Sequence, residues 1–178
     1  MILTLDTPTL DDMLAALEWR KTCLESLRTT HRITAYEQTR FYETVIANGQ
    51  APHRYYALRM GRQVVGLVSL EHVQWENRYA EIGLIVDPGY QRKGVGRLAV
   101  DLVLEQAFDR MALRTVWGEV YTVNPHVAFW HAVCARHGGV TTLWPRRKYW
   151  NGTLYDAVLF SIADEAWRAA RAARQEAT

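Results

Sequence analysis

Cysteine is scarce in this chain of 178 residues, which contains only Cys23 and Cys134. Two cysteines so far apart provide neither a disulfide framework nor the paired cysteines of a structural zinc site. This usage is typical of a reducing compartment, so we expect a cytoplasmic protein. Three of the histidines, His126, His131 and His137, lie near one another in the sequence. No second group of ligands accompanies them at metal spacing, so the sequence predicts no bound metal.

Long apolar runs and a strong charge of one sign are also missing. No stretch approaches the roughly 20 apolar residues of a membrane-spanning helix, and the N-terminus shows no signal-peptide pattern. The formal net charge is only +2, without the dense basic patch that nucleic-acid-binding domains usually carry. We therefore expect a soluble protein with neither a membrane nor a nucleic acid as a partner.

The composition that remains is that of an ordinary globular protein. Hydrophobic residues make up 49% of the chain and charged residues 22%, which suits one domain with a substantial core. We predict a single domain over residues 1–178. The seven tryptophans and nine tyrosines are typical of a well-filled core or an aromatic-lined cleft.

Apolar periodicity and turn residues divide the chain into alternating elements. The helices are predicted over 9–26, 34–47, 95–111, from Asn124-Pro125 to His137, and over about 164–175. The strands are predicted over 2–6, 55–60, 63–72, 79–86 and 115–120, followed by a hairpin across Asn151-Gly152. A long antiparallel run therefore precedes the one phosphate-type loop. This order favours an α/β fold of the α+β kind over the repeated βαβ units of a dinucleotide-binding fold.

That loop, Gln91–Gly96, connects a strand-like run directly to a helix-like run. The first backbone N–H groups of a helix have no intrahelical partner, and the helix dipole favours an anion beside them. The loop's two glycines let the main chain approach a phosphate closely. Positive charge comes from Arg92, Lys93 and Arg97. The same residues fit a plain strand-to-helix turn, so the loop alone leaves both interpretations open.

Three segments resemble one family. Ile85–Arg97, with the sequence IVDPGYQRKGVGR, resembles the acetyl-CoA signature of the GNAT superfamily of N-acetyltransferases, Gln/Arg-x-x-Gly-x-Gly/Ala. Trp117–Asn124 resembles the strand and helix-opening Asn of that family. Lys148–Asp156 resembles the closing hairpin of its ribosomal-protein, polyamine and amino-sugar members. The resemblance implies a mixed, mostly antiparallel sheet of about seven strands with splayed central strands, flanked by helices.

The resemblance also implies acetyl-CoA as the cosubstrate. In this family the strand before the loop pairs with the pantetheine arm, and the loop holds the pyrophosphate. The corresponding strand residues here are Leu84, Ile85 and Val86. The corresponding loop residues are Gln91, Arg92, Lys93, Gly94, Val95, Gly96 and Arg97. Asn124 is expected to reach the pantetheine, and it also fits the role of a helix cap.

Direct transfer of acetyl to an amine needs a group that accepts the amine proton. Glu81 lies on the strand where some histone-type family members carry this base. Glu119 lies five positions before Asn124, a spacing similar to that of the base in the ribosomal-protein alanine acetyltransferase. Both are candidate bases, with Glu119 preferred for its spacing. Each is equally compatible with a strand carboxylate that faces solvent or pairs with a basic neighbour.

The family's usual proton donor is a Tyr seven positions after this Asn, where the chain has His131. Counted back from Gly138, the position falls on Cys134 instead. A histidine can protonate a thiolate at neutral pH, so His131 is the candidate acid. A merely packed histidine and a site without a dedicated acid remain open alternatives.

The acceptor walls of the fold come from the N-terminal helices and the final hairpin. Candidates there are Tyr36, Tyr149 and Trp150, which can flank an amine or a sugar ring or simply pack the hairpin. The run Arg146–Lys148 disfavours a polyamine and favours an acidic or phosphorylated substrate, unless it is a solvated turn.

We predict an acetyl-CoA-dependent N-acetyltransferase acting on a small primary amine, with an amino sugar placed before a polyamine. The alternatives are acetylation of a protein N-terminus or an aminoacyl-tRNA, and a non-catalytic acyl-CoA-binding module. The family also suggests a homodimer.

Overall fold

One mixed sheet of seven strands organises the computed structural model, which describes residues 2–177. The strands are β1 (Thr4–Asp6), β2 (Arg54–Met60), β3 (Gln63–Gln74), β4 (Tyr79–Val86), β5 (Thr115–Tyr121), β6 (Val140–Trp150) and β7 (Thr153–Ala163). The helices are α1 (Leu10–Arg20), α2 (Ala35–Phe41), α3 (Val95–Glu105), α4 (Val127–Arg136) and α5 (Asp164–Glu176). The order across the sheet is β1-β2-β3-β4-β5-β7-β6. The predicted fold class and strand number are therefore confirmed.

Short helical turns of other kinds extend or link these helices. Single π turns, Tyr42–Ile46 and Gln106–Arg110, continue α2 and α3, so the predicted helices over 34–47 and 95–111 have nearly the expected lengths. Two 3₁₀ turns, Leu24–Ser26 and Pro88–Tyr90, follow α1 and β4. Within residues 2–177 no helix combines the length and the apolar character that crossing a membrane requires.

The first helix ends earlier than predicted. It starts as expected, because the Thr9 hydroxyl accepts the Asp12 backbone N–H at 3.2 Å in a capping box. It stops at Arg20 rather than at residue 26, since the Thr22 hydroxyl donates to the Trp19 carbonyl at 2.8 Å and takes the acceptor of the next helical turn. The chain then turns through the 3₁₀ segment and brings residue 28 over the sheet.

The closing helix is attached to the core by one aromatic side chain. Trp167 on α5 is buried, and its ring centroid lies 5.3 Å from that of Phe108. The rest of α5 is rich in alanine and arginine and mostly exposed or half-buried, as expected of a surface helix. The large apolar area that a buried tryptophan removes from water holds α5 against the core.

The parallel pairing of β4 with β5 covers only three residues. The ladder joins Tyr79–Glu81 to Thr115–Trp117, and the two strands then separate. β4 continues to pair with β3 as far as Val86. Alternate backbone N–H and C=O groups of residues 82–86 consequently face the gap toward β5. The predicted splay of the central strands is present, and it opens a slot lined by free backbone groups.

The final hairpin closes at the predicted turn. Asn151 and Gly152 have φ values of 46° and 81°, as a type I′ turn requires. β6 pairs with β7 but changes register between Trp144 and Lys148. This irregularity re-aims the β6 side chains and directs Lys148 inward.

Candidate active site

Two acidic side chains meet where β4 and β5 separate. Glu81 is the last β4 residue that pairs with β5, and Glu119 lies just beyond the end of that ladder on β5. Their side chains are only 10% and 2% exposed. The structure thus brings the two predicted catalytic carboxylates into one buried pair at the vertex of the slot.

Arg28 bridges the two carboxylates. Its Nη2 donates to Glu81 Oε1 and lies 3.3 Å from Glu119 Oε2. The hydrogen bond to Glu81 is the main reason why the pKa of this guanidinium is raised above its ordinary value. Arg28 therefore carries its positive charge at the position where an acceptor ammonium would meet the carboxylates. Sequence reasoning missed this residue because no motif surrounds it and its partners lie far away in the chain.

Glu119 has further donors of its own. Arg147 Nε donates to Glu119 Oε1 at 2.7 Å, and the Tyr121 hydroxyl donates to Oε2 at 3.2 Å. Arg147 is itself fixed, since its guanidinium carbon lies 4.3 Å from the centroid of the Trp144 ring. Both oxygens of Glu119 are therefore occupied even when Arg28 is disregarded.

Glu81 has a different surrounding. Apart from Arg28, its ion-pair neighbour is His72, whose Nδ1 lies 3.5 Å from Glu81 Oε2. His72 has a half-exposed side chain on β3, so this contact leads from the buried carboxylate toward solvent. An imidazole can accept a proton on one ring nitrogen and release one from the other.

Tyr121 is a buried hydroxyl donor in the site. Burial raises its pKa, the Glu119 charge raises it further, and Arg28 opposes both effects. The hydroxyl is therefore protonated at neutral pH. Strand alternation places Tyr121 on the same face of β5 as Glu119, a signal that the sequence contained but that sequence reasoning did not use.

Lys148 is buried beside these groups. Its Nζ donates to the Leu27 carbonyl and lies 4.9 Å from the centroid of the Tyr121 ring and 5.8 Å from that of Trp150. Desolvation is the main cause that lowers its pKa. The contact with Leu27 ties β6 to the segment that carries Arg28, so the two sides of the site are held together.

The predicted coenzyme A loop has the backbone shape of an anion site. Arg92 and Gly94 adopt left-handed φ values of 57° and 83°, and α3 begins at Val95. The first intrahelical bond from this end is Leu98 N–H to the Gly94 carbonyl, at 3.1 Å. The preceding amides, including those of Gly96 and Arg97, have no partner in the helix.

Some side chains of the same loop bond to nearby carbonyl groups, and others are exposed. Gln91 Nε2 donates to the Val86 carbonyl at 3.2 Å, and Lys93 Nζ donates to the Gly89 carbonyl at 2.7 Å. Arg92 and Arg97 are exposed, whereas Val95 points into the core and offers only its backbone. The loop therefore presents amides flanked by exposed arginines, with two side chains holding its shape.

Gly96 has a packing role besides the one predicted. A Cβ at this position would lie 3.3 Å from the Phe129 ring and 3.7 Å from the Leu84 side chain. Glycine therefore lets α3 approach α4 and β4 closely. Leu84, Ile85 and Val86 lie on the separated half of β4, as their predicted contact with pantetheine requires.

Asn124 precedes α4 by three residues instead of capping it. Its Oδ1 accepts the His126 backbone N–H at 2.8 Å, and the helix starts at Val127 with His126 at the N-cap. The prediction that Asn124 caps this helix was wrong, because an Asx turn intervenes. Asn124 follows the C-terminal end of β5 beside the slot, so its contact with pantetheine stays a prediction.

The remaining predicted residues lie further from the acidic pair. His131 and Tyr36 are exposed on α4 and α2, and within residues 2–177 neither bonds to either glutamate. Tyr149 is exposed on β6, while Trp150 is half-buried next to Lys148. Their roles as acid and acceptor wall stay predictions.

One further group of polar side chains adjoins the site. The side chains of His53, Glu71 and His72 each have one nitrogen or oxygen atom that could bind a metal ion, and these three atoms lie within 4.8 Å of one another. His53 Nδ1 accepts the His72 backbone N–H at 3.2 Å, and the Ser69 hydroxyl donates to Glu71 at 2.7 Å. All three residues thus already have protein partners, because His72 Nδ1 also lies 3.5 Å from Glu81 Oε2.

The central strands separate, an acidic pair lies at the vertex of their separation, and a glycine loop opens the helix α3. Together these features define an acyl-CoA-dependent transferase. The chain matches the model of the acetyltransferase (GNAT) family over residues 13–135 and belongs to that family. It is an N-acetyltransferase, as the sequence predicted. No curated protein matches the sequence significantly.

Solved structures share this fold. The chain is similar to a spermidine N-acetyltransferase from Vibrio cholerae in complex with CoA and spermine, with 20% identity, TM-score 0.82, and coverage of 93% of this chain and 98% of the other. A spermidine/spermine N-acetyltransferase from the same organism, in complex with manganese ions, has 20% identity, TM-score 0.77, and coverage of 94% and 95%. A dodecameric spermidine N-acetyltransferase from that organism has 20% identity, TM-score 0.77, and coverage of 93% and 95%.

Proposed function

We propose that the protein transfers acetyl from acetyl-CoA directly to a primary amine of a small molecule bound at Glu81 and Glu119. The observation that carries this proposal is the buried carboxylate pair at the vertex of the β4–β5 slot. A protonated amine is attracted to these carboxylates and must lose a proton before it attacks the thioester carbonyl. The acetyl group and the amine would then meet at one end of the pantetheine slot.

In this proposal Glu81 is the base. An entering acceptor displaces Arg28 from Glu81 and leaves its carboxylate able to accept a proton. Glu119 keeps Arg147 as a partner, so it acts as a fixed negative charge that orients the amine. The proton on Glu81 passes to His72 and from there to solvent.

Tyr121 is our candidate for the donor that protonates the leaving thiolate, and His131 is the alternative. Burial raises the pKa of Tyr121, so the hydroxyl keeps its proton at neutral pH until the thiolate leaves; the proton that the amine nitrogen loses as the amide forms then restores the tyrosine. The exposure of His131 on α4 gives less support to the residue that the family pattern indicated.

Acetyl-CoA occupies the slot and the loop in this proposal. Residues 84–86 pair with pantetheine, the free amides around Gly94–Arg97 bind the pyrophosphate, and Asn124 contacts the pantetheine arm. The anion-binding geometry of a helix N-terminus supports this placement. No step of the proposal needs a metal.

Two kinds of acceptor are candidates. The relative in complex with CoA and spermine supports a polyamine, whereas the basic residues of β6 support an amino sugar that carries a phosphate. Acetylation of a protein N-terminus or an aminoacyl-tRNA, and a binding role without chemistry, remain alternatives. Two free cysteines support the cytoplasm as the compartment, and the dodecameric relative supports a homo-oligomer, at least a dimer.

Release of free thiol from acetyl-CoA, measured across a panel of amines, tests the proposal. We expect turnover with at least one small primary amine and a matching acetylated product by mass spectrometry. Tight binding of coenzyme A with no turnover on any amine, peptide or aminoacyl-tRNA would identify a binding module and refute the enzyme mechanism.

A further inference from the structure

Cationic side chains crowd a site that is expected to receive a cationic amine. Arg28, Arg147 and Lys148 all lie at the acidic pair or next to it. They come from two distant parts of the chain, the segment after α1 and the strand β6. An enzyme that only had to attract an ammonium group would gain from carboxylates there and lose from cations.

Lys148 is the least compensated of the three. Its side chain is almost fully buried, yet it forms no ion pair within residues 2–177. One donor goes to the Leu27 carbonyl and two aromatic rings lie nearby, which leaves donors of the ammonium unused. Burying an ammonium without a counter-charge is unfavourable, so an anion beside Lys148 would stabilise it.

Neighbouring carboxylates do not supply that anion. Glu25 and Glu119 act on Lys148 only through longer-range attraction. The Glu71 carboxylate accepts the Ser69 hydroxyl at 2.7 Å on the far side of Glu81. Among the described residues, 2–177, Lys148 therefore has no counter-ion at close range.

Arg28 becomes uncompensated as soon as an amine binds, whereas Arg147 keeps Glu119 as its partner. Arg28 is half-exposed and has donors to spare, but its contacts with Glu81 and Glu119 occupy the positions that the acceptor ammonium needs. When the ammonium takes these positions, the guanidinium loses its partner. A planar guanidinium binds carboxylate or phosphate oxygens through two parallel hydrogen bonds.

We infer that the acceptor is an amine that carries its own anionic group, a carboxylate or a phosphate, which Arg28, Arg147 and Lys148 bind while the amine lies at Glu81. The inference rests on the proposed function and narrows its substrate class. Arg28 moves from the glutamates to the anion of the acceptor, so binding of the correct acceptor frees the base. A polycation has no anionic group to which Arg28 could move, and it adds positive charge beside the three cationic side chains.

Matched acceptor pairs test this inference. One pair is 4-aminobutyrate and putrescine, the other is glucosamine 6-phosphate and glucosamine, and spermidine serves as the polycation. We expect kcat/KM to be about tenfold or more higher for the anionic member of at least one pair, since charge-assisted hydrogen bonds are strong. The pair that responds tells whether the anion is a carboxylate or a phosphate. The preference should weaken as salt is added.

Variants connect the preference to the residues. In the acceptor pair that responds, Arg28→Gln and Arg147→Gln should each reduce the ratio of kcat/KM for the anionic member to kcat/KM for the other member toward one. Both variants should leave the KM for acetyl-CoA unchanged. Arg62→Gln, on the exposed turn between β2 and β3, is the matched control and should keep the ratio.

Calorimetric titration of the same acceptors into coenzyme A-saturated protein compares their binding affinities in the absence of acetyl transfer. Coenzyme A already occupies the proposed pyrophosphate loop in this experiment. The inference would be overturned if both anionic acceptors bind no more tightly than their uncharged or cationic counterparts and if Arg28→Gln has a higher kcat/KM for spermidine than the native protein. Arg28 would then be a side chain that blocks the site until a polycation displaces it. Preferential binding of an anionic member without turnover of any amine would retain the inference and refute the proposed function.

Discussion

At the scale of single residues, the acidic pair owes its properties to unequal partners. Glu81 shares Arg28 with Glu119, but only Glu119 is also held by Arg147 and Tyr121. Two carboxylates on adjacent strands therefore have different tasks available to them. The one with a displaceable partner can accept a proton, and the one with fixed partners can hold charge.

Substitution of the two glutamates separates these tasks. Glu81→Gln cannot accept a proton, so we expect kcat to fall by about 100-fold or more, with partial recovery at high pH, where the amine is already neutral. Glu119→Gln should lower kcat/KM by only about tenfold, because orientation and charge weaken while the base remains. Initial rates across a pH range measure both. A larger loss of kcat in Glu119→Gln would assign the base to Glu119.

Replacement of Lys148 should separate stability from activity. Lys148→Met removes a buried charge, so we expect the melting temperature at neutral pH to rise by about 2–4 °C, equivalent to about 1 kcal/mol, while acceptor turnover falls. Burial lowers the pKa of Lys148 below its ordinary value of 10.5, so the folded state disfavours the charged form. The penalty is present below the lowered pKa and disappears as pH rises toward 10.5.

The difference in melting temperature between Lys148→Met and the native protein should therefore shrink in alkaline buffer. Differential scanning calorimetry at neutral and alkaline pH measures it. A lower melting temperature of the variant at neutral pH would show that the contacts with Leu27 and the two rings outweigh the cost of burial.

At the scale of elements, the ends of helices and strands build the site. The early end of α1 lets residue 28 reach the sheet, and the short ladder between β4 and β5 opens the slot. The start of α3 supplies the amides of the loop. In each case the functional groups are backbone or side-chain groups that regular pairing no longer uses.

The backbone of the loop can be tested at Gly94. Its φ of 83° is unfavourable for a residue with a Cβ, although no atom lies within 4 Å of the position a Cβ would take. We expect Gly94→Ala to cost about 1 kcal/mol of stability and to raise the KM for acetyl-CoA several-fold, because the loop amides shift. Gly49→Ala, at an equally open site without a positive φ, is the control. An unchanged KM in Gly94→Ala would argue against pyrophosphate binding by this loop.

At the scale of the whole molecule, one sheet connects the proposed acceptor site to the proposed cofactor slot. β3 and β4 pair along most of their length, and β5, β7 and β6 pair on the other side of the splay. The shared core lies under the three-residue ladder, where buried side chains of α3 pack against β3 and β4. The two halves are thus joined by a common core more than by hydrogen bonds between central strands.

We therefore expect residues 1–178 to unfold in one cooperative transition. Trp167→Ala should lower the free energy of unfolding by about 3–5 kcal/mol. It should not create a second transition, because Trp167 packs in the same core as α3. Trp75→Ala, at a largely exposed tryptophan, is the control and should change stability little. Scanning calorimetry measures both variants. Two separate transitions would contradict the prediction of a single domain.

Local pattern was enough for much of this protein. Capping boxes, an Asn-Gly turn and a glycine loop before an apolar helix depend on neighbours in the chain, so the sequence predicted the order of elements, the hairpin and the cofactor loop. Glu81 and Glu119 were identified because they lie at family positions on strands. The end of α1 and the Asx turn at Asn124 were misjudged, since side-chain hydrogen bonds outcompeted the helical continuation there.

What the sequence by itself determined is therefore the order of the elements, which follows from local periodicity and turn signals. The resemblance of its motifs to one family indicated the fold, the donor of the acetyl group and the two acidic candidates. Only the tertiary structure decided how the acidic pair is partnered. Arg28, Tyr121 and Lys148 come from three elements, and nothing in their local sequence predicts that they meet. Contacts between distant segments depend on how the sheet splays and how β6 changes register, and these geometries set the charge that the acceptor encounters.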